Sequence, residues 1–557
     1  MRKQDKTLPL TLLGATVLMI IGSVTTYIVI ASRESVEKLP VGAEVVPQDA
    51  MIAISVSTDS RQWEEVKQFG TPDSQSAVQK ILGQLRDRFL TTYGYNYQRD
   101  IQPWVGNEVM IALLRKQTLE PANPITPDSP PPPPAQQATV VVLPIADPAK
   151  AQQILERPLS LKQGKVVERT YRGIEIRETD GVPNQDFSAA VLEQKFLVVA
   201  DSQTAINQVI DIYKGDQSLA KVPGYAAALQ KIETPGPFAQ LYINIPVAAA
   251  YTSAKSITPV SQENLKQLED NQGLAATVNL ATEGIEFKAV SWLKPNSQKK
   301  FTVENNATEM LSRIPGNALM MMSGSNLQRM WDDYVQGGAT NPVAPVNPEI
   351  LRKTVNNLTG MDLEQDFLNW MSGEYSLSLV PIPKSEDELQ EFAAGFVFMV
   401  KASDRRAAED SLKKLDEMMK SKDFEIGEAV ANGEPVVKWT SEFGGFTVVR
   451  GWLNGNVAFF TLGGPVVNQI LPAPTNSMAE SVVLQKSLPS ESESFSGNFF
   501  IDINQTFNPE NLSIPQLPPN QKVWIDGMES IGVTSVVSSN RTTSYDVFVK
   551  LKKQIQK

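Results

Sequence analysis

Acidic residues spaced around an indole are the most chemically suggestive feature of this 557-residue chain. The pattern G-x5-D-x3-W-x3-E occurs twice, as Gly94, Asp100, Trp104 and Glu108 and again as Gly360, Asp366, Trp370 and Glu374. Two carboxylates a short distance apart are what glycoside hydrolysis requires, one as acid and one as base or nucleophile, and an indole can stack on a sugar ring. The competing reading is a structural joint. Asp and Trp one helical turn apart would place the acid where it satisfies free backbone N–H groups. The indole would then fix how helix and sheet meet, and each glycine would supply a sharp turn. The joint is preferred, because no further acidic and aromatic residues cluster around either copy. Trp63 and Trp331 recur in the same way, followed by Glu64-Glu65 and Asp332-Asp333. Adjacent acids could hold a divalent cation, but they lack the alternating oxygen spacing of a calcium loop and read as solvated helix faces.

Composition narrows the chemistry further. The chain contains no cysteine and no histidine. Disulfides, thiolate nucleophiles, Cys-based zinc sites and Ser-His-Asp hydrolysis are therefore excluded. Any enzyme here would rest on carboxylates, Lys, Tyr or Ser. The formal charge of −11 argues against a nucleic-acid surface. There is no G-x-G-x-x-G, Walker A or G-x-S-x-G sequence, and the two S-x-x-K matches, Ser218–Lys221 and Ser411–Lys414, have no K-T-G partner. No residue is assigned a catalytic, cofactor-binding or metal-binding role.

The elements that must position these residues are written twice. The motif residues differ by 266 positions throughout, and Trp63 and Trp331 by 268. Asn207-Gln208 and Asn468-Gln469 are offset by 261, and Leu293-Lys294 and Leu551-Lys552 by 258. Matched segments keep their order end to end, which points to duplication of a whole domain rather than a short solenoid unit. Strand-like runs such as "VMIALL", "ATVVVLPI" and "FLVVAD" recur. Several are joined by turns alone, as in "VVERTYRGIEIRE", which predicts antiparallel hairpins. Helical stretches intervene, including "SQTAINQVIDIYK" and "DRRAAEDSLKKLDEMMKS", the latter with Ala407, Leu412, Leu415 and Met418-Met419 on one stripe. The expected fold class is α+β: an N-terminal transmembrane helix followed by two tandem, duplicated domains of mostly antiparallel sheet with packed helices.

No charged residue occurs from Leu8 to Ala31, and the run could cross a bilayer core as a helix. Arg2, Lys3 and Lys6 precede it, which favours a cytoplasmic N-terminus. The run is too long for a signal-peptide core and reads as an uncleaved anchor. The expected organisation is a cytoplasmic segment 1–8, an anchor 9–31, a stalk 32–42, a first domain 43–297, a linker 298–308 and a second domain 309–557. The proline-rich stretch 121–137 falls between two strands of the first copy and reads as an expanded hairpin loop.

With "VPQDAMIAISVSTDSRQW" and "GYNYQRDIQPWVGNEV" behind a basic N-terminus and one span, the chain resembles the cyanobacterial family grouped as DUF3352, a domain of unknown function. The second copy, "DFLNWMSGE", lacks the proline and is the more diverged. The resemblance brings no activity. It implies a single-pass protein of plasma or thylakoid membrane, with its bulk in periplasm or lumen. The first expectation for function is a non-enzymatic binding or scaffold protein with an unidentified protein partner. The alternatives are a carrier or chaperone for an apolar ligand, lipid or pigment, and a carboxylate-dependent hydrolase of envelope polymers.

Overall fold

The computed structural model describes residues 39–115, 137–157, 164–180, 187–255, 265, 268–338, 348–382, 393–441, 447–486, 494–509, 511–512 and 517–554. These cluster into two compact units that divide between Lys299 and Lys300, with 282–286 grouped in the second. Strands of the first unit are β1 (Ile52–Ser57), β2 (Glu108–Arg115), β3 (Gln137–Pro144), β4 (Lys165–Tyr171), β5 (Ile174–Asp180), β6 (Ser188–Leu192), β7 (Phe196–Ala200), β8 (Ala239–Ile243), β9 (Asn271–Ala281) and β10 (Gly284–Leu293). They pair in the order β4-β5-β6-β7-β3-β2-β1-β8-β9-β10.

The second unit contains β11 (Met320–Gly324), β12 (Tyr375–Pro381), β13 (Ala394–Lys401), β14 (Phe424–Ala431), β15 (Glu434–Ser441), β16 (Thr447–Leu453), β17 (Val457–Leu462), β18 (Gly497–Asp502), β19 (Met528–Ser539) and β20 (Thr542–Leu551). Their order is β14-β15-β16-β17-β13-β12-β11-β18-β19-β20, position for position that of the first unit. Every pairing with a defined register is antiparallel. The class is α+β.

Side chains alternate across each sheet, so each has two apolar faces to cover. In the first unit, Met110, Ala112, Leu114, Val140 and Val198 face a closed core sealed by a helix at Gln203–Tyr213. The other face carries Val109, Val141, Leu143, Leu197 and Val199 and is covered by α1 (Ser60–Val66), α2 (Pro72–Phe89) and α3 (Pro148–Leu155). In the second unit the corresponding face is covered by α4 (Leu327–Gly338), α5 (Pro348–Thr359) and α6 (Arg405–Lys420). On α6 the buried stripe is Ala408, Leu412 and Leu415, whereas Ala407 is exposed, one residue off the expected stripe. The stretch expected to parallel Gln203–Tyr213 is instead a 3-10 turn, Gly464–Gln469, where Pro465 enters at its start.

The expected fold class is corrected in one respect. Among the described residues no helix is long and apolar enough to cross a membrane. The longest, α2, has 18 residues but carries Asp73, Lys80, Arg86, Asp87 and Arg88, so its surface is too polar for a hydrocarbon core. The segments 1–8 and 9–31, most of the stalk 32–42 and the loop 121–136 lie outside the described residues.

Candidate functional site

Both copies of the repeated motif build the same joint. A single π-helical turn, Tyr97–Ile101 or Leu363–Phe367, follows a glycine held at φ 82° (Gly94) or φ 70° (Gly360), in the left-handed region. The turn is capped by Asn96 and Asp362, whose side chains accept the amides of Arg99 and Gln365. The motif aspartates act one turn later. Asp100 accepts the Asn96 amide at 2.9 Å, and Asp366 accepts the Asp362 amide at 2.7 Å. Each indole donates back to the aspartate's own carbonyl, Trp104 at 2.6 Å and Trp370 at 3.1 Å. Both rings are 1% exposed.

The electrostatics follow. Hydrogen bonding from the Arg99 guanidinium, with Arg157 adding a second cation, lowers the Asp100 carboxyl to about 2. Burial opposes ionisation of Asp366, yet the Lys414 ammonium and the Asp362 amide hold it below the usual range. The glutamates anchor the chain entering each unit. Glu108 accepts the Val41 amide at 2.8 Å and the Ser55 hydroxyl, while Glu374 accepts the amides of Met310 (2.8 Å) and Glu309 (3.1 Å). Burial raises Glu374 to about 7.

This geometry does not assemble a carboxylate pair. Glu108 shares the face of Met110, Ala112 and Leu114, toward the closed core, whereas Trp104 packs with Leu143, Leu197 and Val199 on the opposite face. The sheet stands between the two acids, and they share no hydrogen-bond partner among the described residues. Glu108 also edges a cavity of about 990 Å³ of mixed lining, with Asp59 and Arg61, but its oxygens are already engaged. No group of three or more acidic residues suited to a metal exists among the described residues. The solvated-face reading holds for exposed Asp332 but not for Asp333. Burial raises Asp333 to about 7, and one of its carboxylate oxygens has no hydrogen-bond partner among the described residues.

The feature that sequence reasoning did not locate is a cavity of about 1290 Å³ between the second face of the first sheet and α1, α2 and α3. Its floor is Val109, Ile111, Val141, Leu143, Leu197 and Val199. Leu82, Leu85 and Phe89 look down from α2, and Tyr95, Tyr97 and Trp63 close the sides. Trp63 donates to the Ser57 carbonyl at 2.8 Å and meets Phe238 edge-on at 5.0 Å, which leaves one face of its ring on the cavity. Trp331, at the matched place, is buried and donates to Glu364 at 2.9 Å.

Strand register explains the difference. Val141 lies between Ile111 and Val199, and Phe398 between Leu377 and Phe460. Two valines in the first unit therefore stand where the second has phenylalanines. By the same registers Val109 matches Tyr375 and Val191 matches Trp452. The covering helix differs too. Asp147 and Asp404 cap α3 and α6 alike, but α3 stops after 8 residues and α6 runs for 16, bringing Leu415 and Met418 over the sheet. Smaller floor residues and a truncated roof leave the space.

α2 spans this space as a strap fixed at both ends. Its start is held by the Thr71–Ser74 capping box and by the Gln75 amide donating to the Lys67 and Phe69 carbonyls. Its end is held by buried Phe89 and by Arg88 pairing with Asp201. Between them Leu82 is 40% exposed and Gly83 sits within the unbroken helix, where its lack of a Cβ lowers helix propensity.

A family model described as a protein of unknown function (DUF3352) matches residues 11–551. The chain belongs to the DUF3352 family. No curated protein matches this DUF3352 chain. Among solved structures it is similar to TP0453 in crystal form I, at 9% identity and a TM-score of 0.25, covering 48% of this chain and 81% of that one. Crystal form III gives 10% identity and a TM-score of 0.24, covering 48% and 83%. Likeness of this degree carries no argument about what the DUF3352 chain does.

Proposed function

We propose that the first unit is a non-enzymatic binding module that carries an apolar ligand, a lipid or a pigment, in the cavity beneath α2. The observation that supports this reading is the contrast between units of identical strand order: one face is filled by Tyr375, Phe398, Trp452 and Phe460, while its counterpart is lined by valines and left open. Ligand cavities typically measure about 300–1,000 Å³, so the space suits a large amphiphile. Burial of ten methylenes contributes roughly 8 kcal/mol before an association cost of at least about 4 kcal/mol. A long or two-chain ligand is therefore held, and a short one is released.

Native mass spectrometry of the full chain purified without detergent tests this, together with uptake of an apolar fluorescent probe. A bound apolar species, or saturable probe binding lost in Val141→Phe/Val199→Phe, is the expected result. A chain that is empty in every preparation and takes up no probe removes the reading.

A scaffold role for the second unit is the second reading, favoured by Ile350 and Leu358 standing 56% and 62% exposed on α5. Ile350→Glu/Leu358→Glu would then abolish a crosslinked complex formed by the wild type. Identical crosslinking of both proteins counts against it.

A further inference from the structure

Resting on that reading, we infer that the cavity selects a neutral amphiphile, with a long apolar tail and an uncharged head bearing hydroxyl or carbonyl groups. The charged residues that line the cavity balance: Lys67, Arg86 and Arg177 against Glu64, Glu156 and Glu175. Each cation already has an anionic partner, Lys67 with Glu64 at 2.6 Å, Arg86 with Asp87 at 3.1 Å and Arg177 with Glu168 at 3.2 Å. Arg177 also spends a guanidinium N–H on the Leu155 carbonyl. Recognition of a carboxylate or phosphate head depends on a free fork of donors or an unpaired cation, and among the described residues this rim offers neither. With three carboxylates balanced by three cations, neither an anionic nor a cationic head gains a net attraction.

What the rim offers instead is amides. Gln79, Gln98, Gln102, Gln152 and Gln194 all line the cavity and are all exposed, so they stand at its mouth rather than its floor; Gln102 and Gln152 spend a donor on Ser60 and Glu156 respectively and keep their carbonyl oxygens. A glutamine amide both donates and accepts, which matches hydroxyl and ester groups and gives no advantage to a full charge. Deeper placement of a charged head is disfavoured by the same burial that raises the phenols of Tyr95 and Tyr97 above their ordinary range.

The test uses the full chain and three ligands of one chain length, a monoacylglycerol, the free fatty acid and a phosphatidylglycerol, each displacing an apolar fluorescent probe. The glyceride is expected to bind about tenfold more tightly than either anion, with little change between low and high salt. Gln98→Arg, which adds an unpaired cation at an exposed position, is expected to bring the fatty acid within about twofold of the glyceride. Anions that bind as well as or better than the glyceride, or a Gln98→Arg protein with unaltered selectivity, overturn the neutral-head assignment and leave the cavity reading standing. Failure of all three lipids and of the probe itself overturns both.

Discussion

Filling the cavity with the second unit's own side chains separates an open space from an occupied one by the sign of a stability change. In Val141→Phe/Val199→Phe the first unit acquires the pair that the second holds as Phe398 and Phe460, with ring centroids 6.3 Å apart. Each ring removes roughly 50 Å² more apolar surface from water than valine does, worth about 1.2 kcal/mol at 25 cal/mol/Å². The contact between rings adds about 0.5–1.5 kcal/mol. The ligand-free protein should gain about 3 kcal/mol, which for a unit of this size corresponds to roughly 6–12 °C in Tm. Scanning calorimetry resolves this, since a chain of two units need not melt in one step. Probe uptake should fall to background in the same protein. If the space is occupied or the register correspondence is mistaken, the rings overpack and stability drops by about 1–3 kcal/mol. A lowered Tm therefore refutes the reasoning.

Other outcomes follow from the joints. Glu374 keeps its proton up to about pH 7 in the folded state and releases it at the ordinary carboxylate pKa when unfolded. Between those values the folded state binds more protons, so stability is full at low pH and declines as pH rises through the window. Glu374→Gln should flatten that decline in urea titrations at pH 5 and pH 8. Asp100 behaves oppositely: with its folded carboxyl at about 2, its contribution is lost as pH falls below 3.8, and Asp100→Asn should erase that acid sensitivity while costing about 1–3 kcal/mol at neutral pH. Trp104→Phe strands the Asp100 carbonyl and should cost about 1–2 kcal/mol by chemical denaturation, against about 3–5 kcal/mol for Trp104→Ala. Gly94→Ala should cost about 1–2 kcal/mol, because φ 82° brings a Cβ against the following carbonyl.

Much of the strand grammar was legible, because alternation and hairpin turns are local: "VVERTYRGIEIRE" forms the hairpin β4-β5. Offsets of 258–268 likewise relate positions that the registers place alike, as with Val109 and Tyr375. The helix at 405–420 was visible in its periodicity, yet its inward stripe was set by packing one residue away, at Ala408. Asn468-Gln469 match Asn207-Gln208 in sequence, but with Pro465 at its start the segment Gly464–Gln469 forms a 3-10 turn where the first unit has a helix. The cavity left no mark on any single segment. Val141 and Val199 are ordinary strand residues, and their meaning depends on which partners the sheet sets beside them and how far α3 reaches. The fourfold replacement of aromatics by valines at matched sites was the available signal, and it needs register rather than linear alignment to be read.

The anchoring of α2 reverses the usual order in which a helix comes apart. Isolated helices fray from their termini inward, but here the termini are pinned, by the Thr71–Ser74 box at one end and by Phe89 with the Arg88–Asp201 pair at the other. Gly83, where a Cβ would meet only the end of the Arg86 side chain at 3.8 Å, weakens the centre by about 1 kcal/mol relative to alanine. Amide deuteration should therefore be fastest in the turns around Leu82 and slowest at both extremities, so that the segment yields like a bowstring, from the middle.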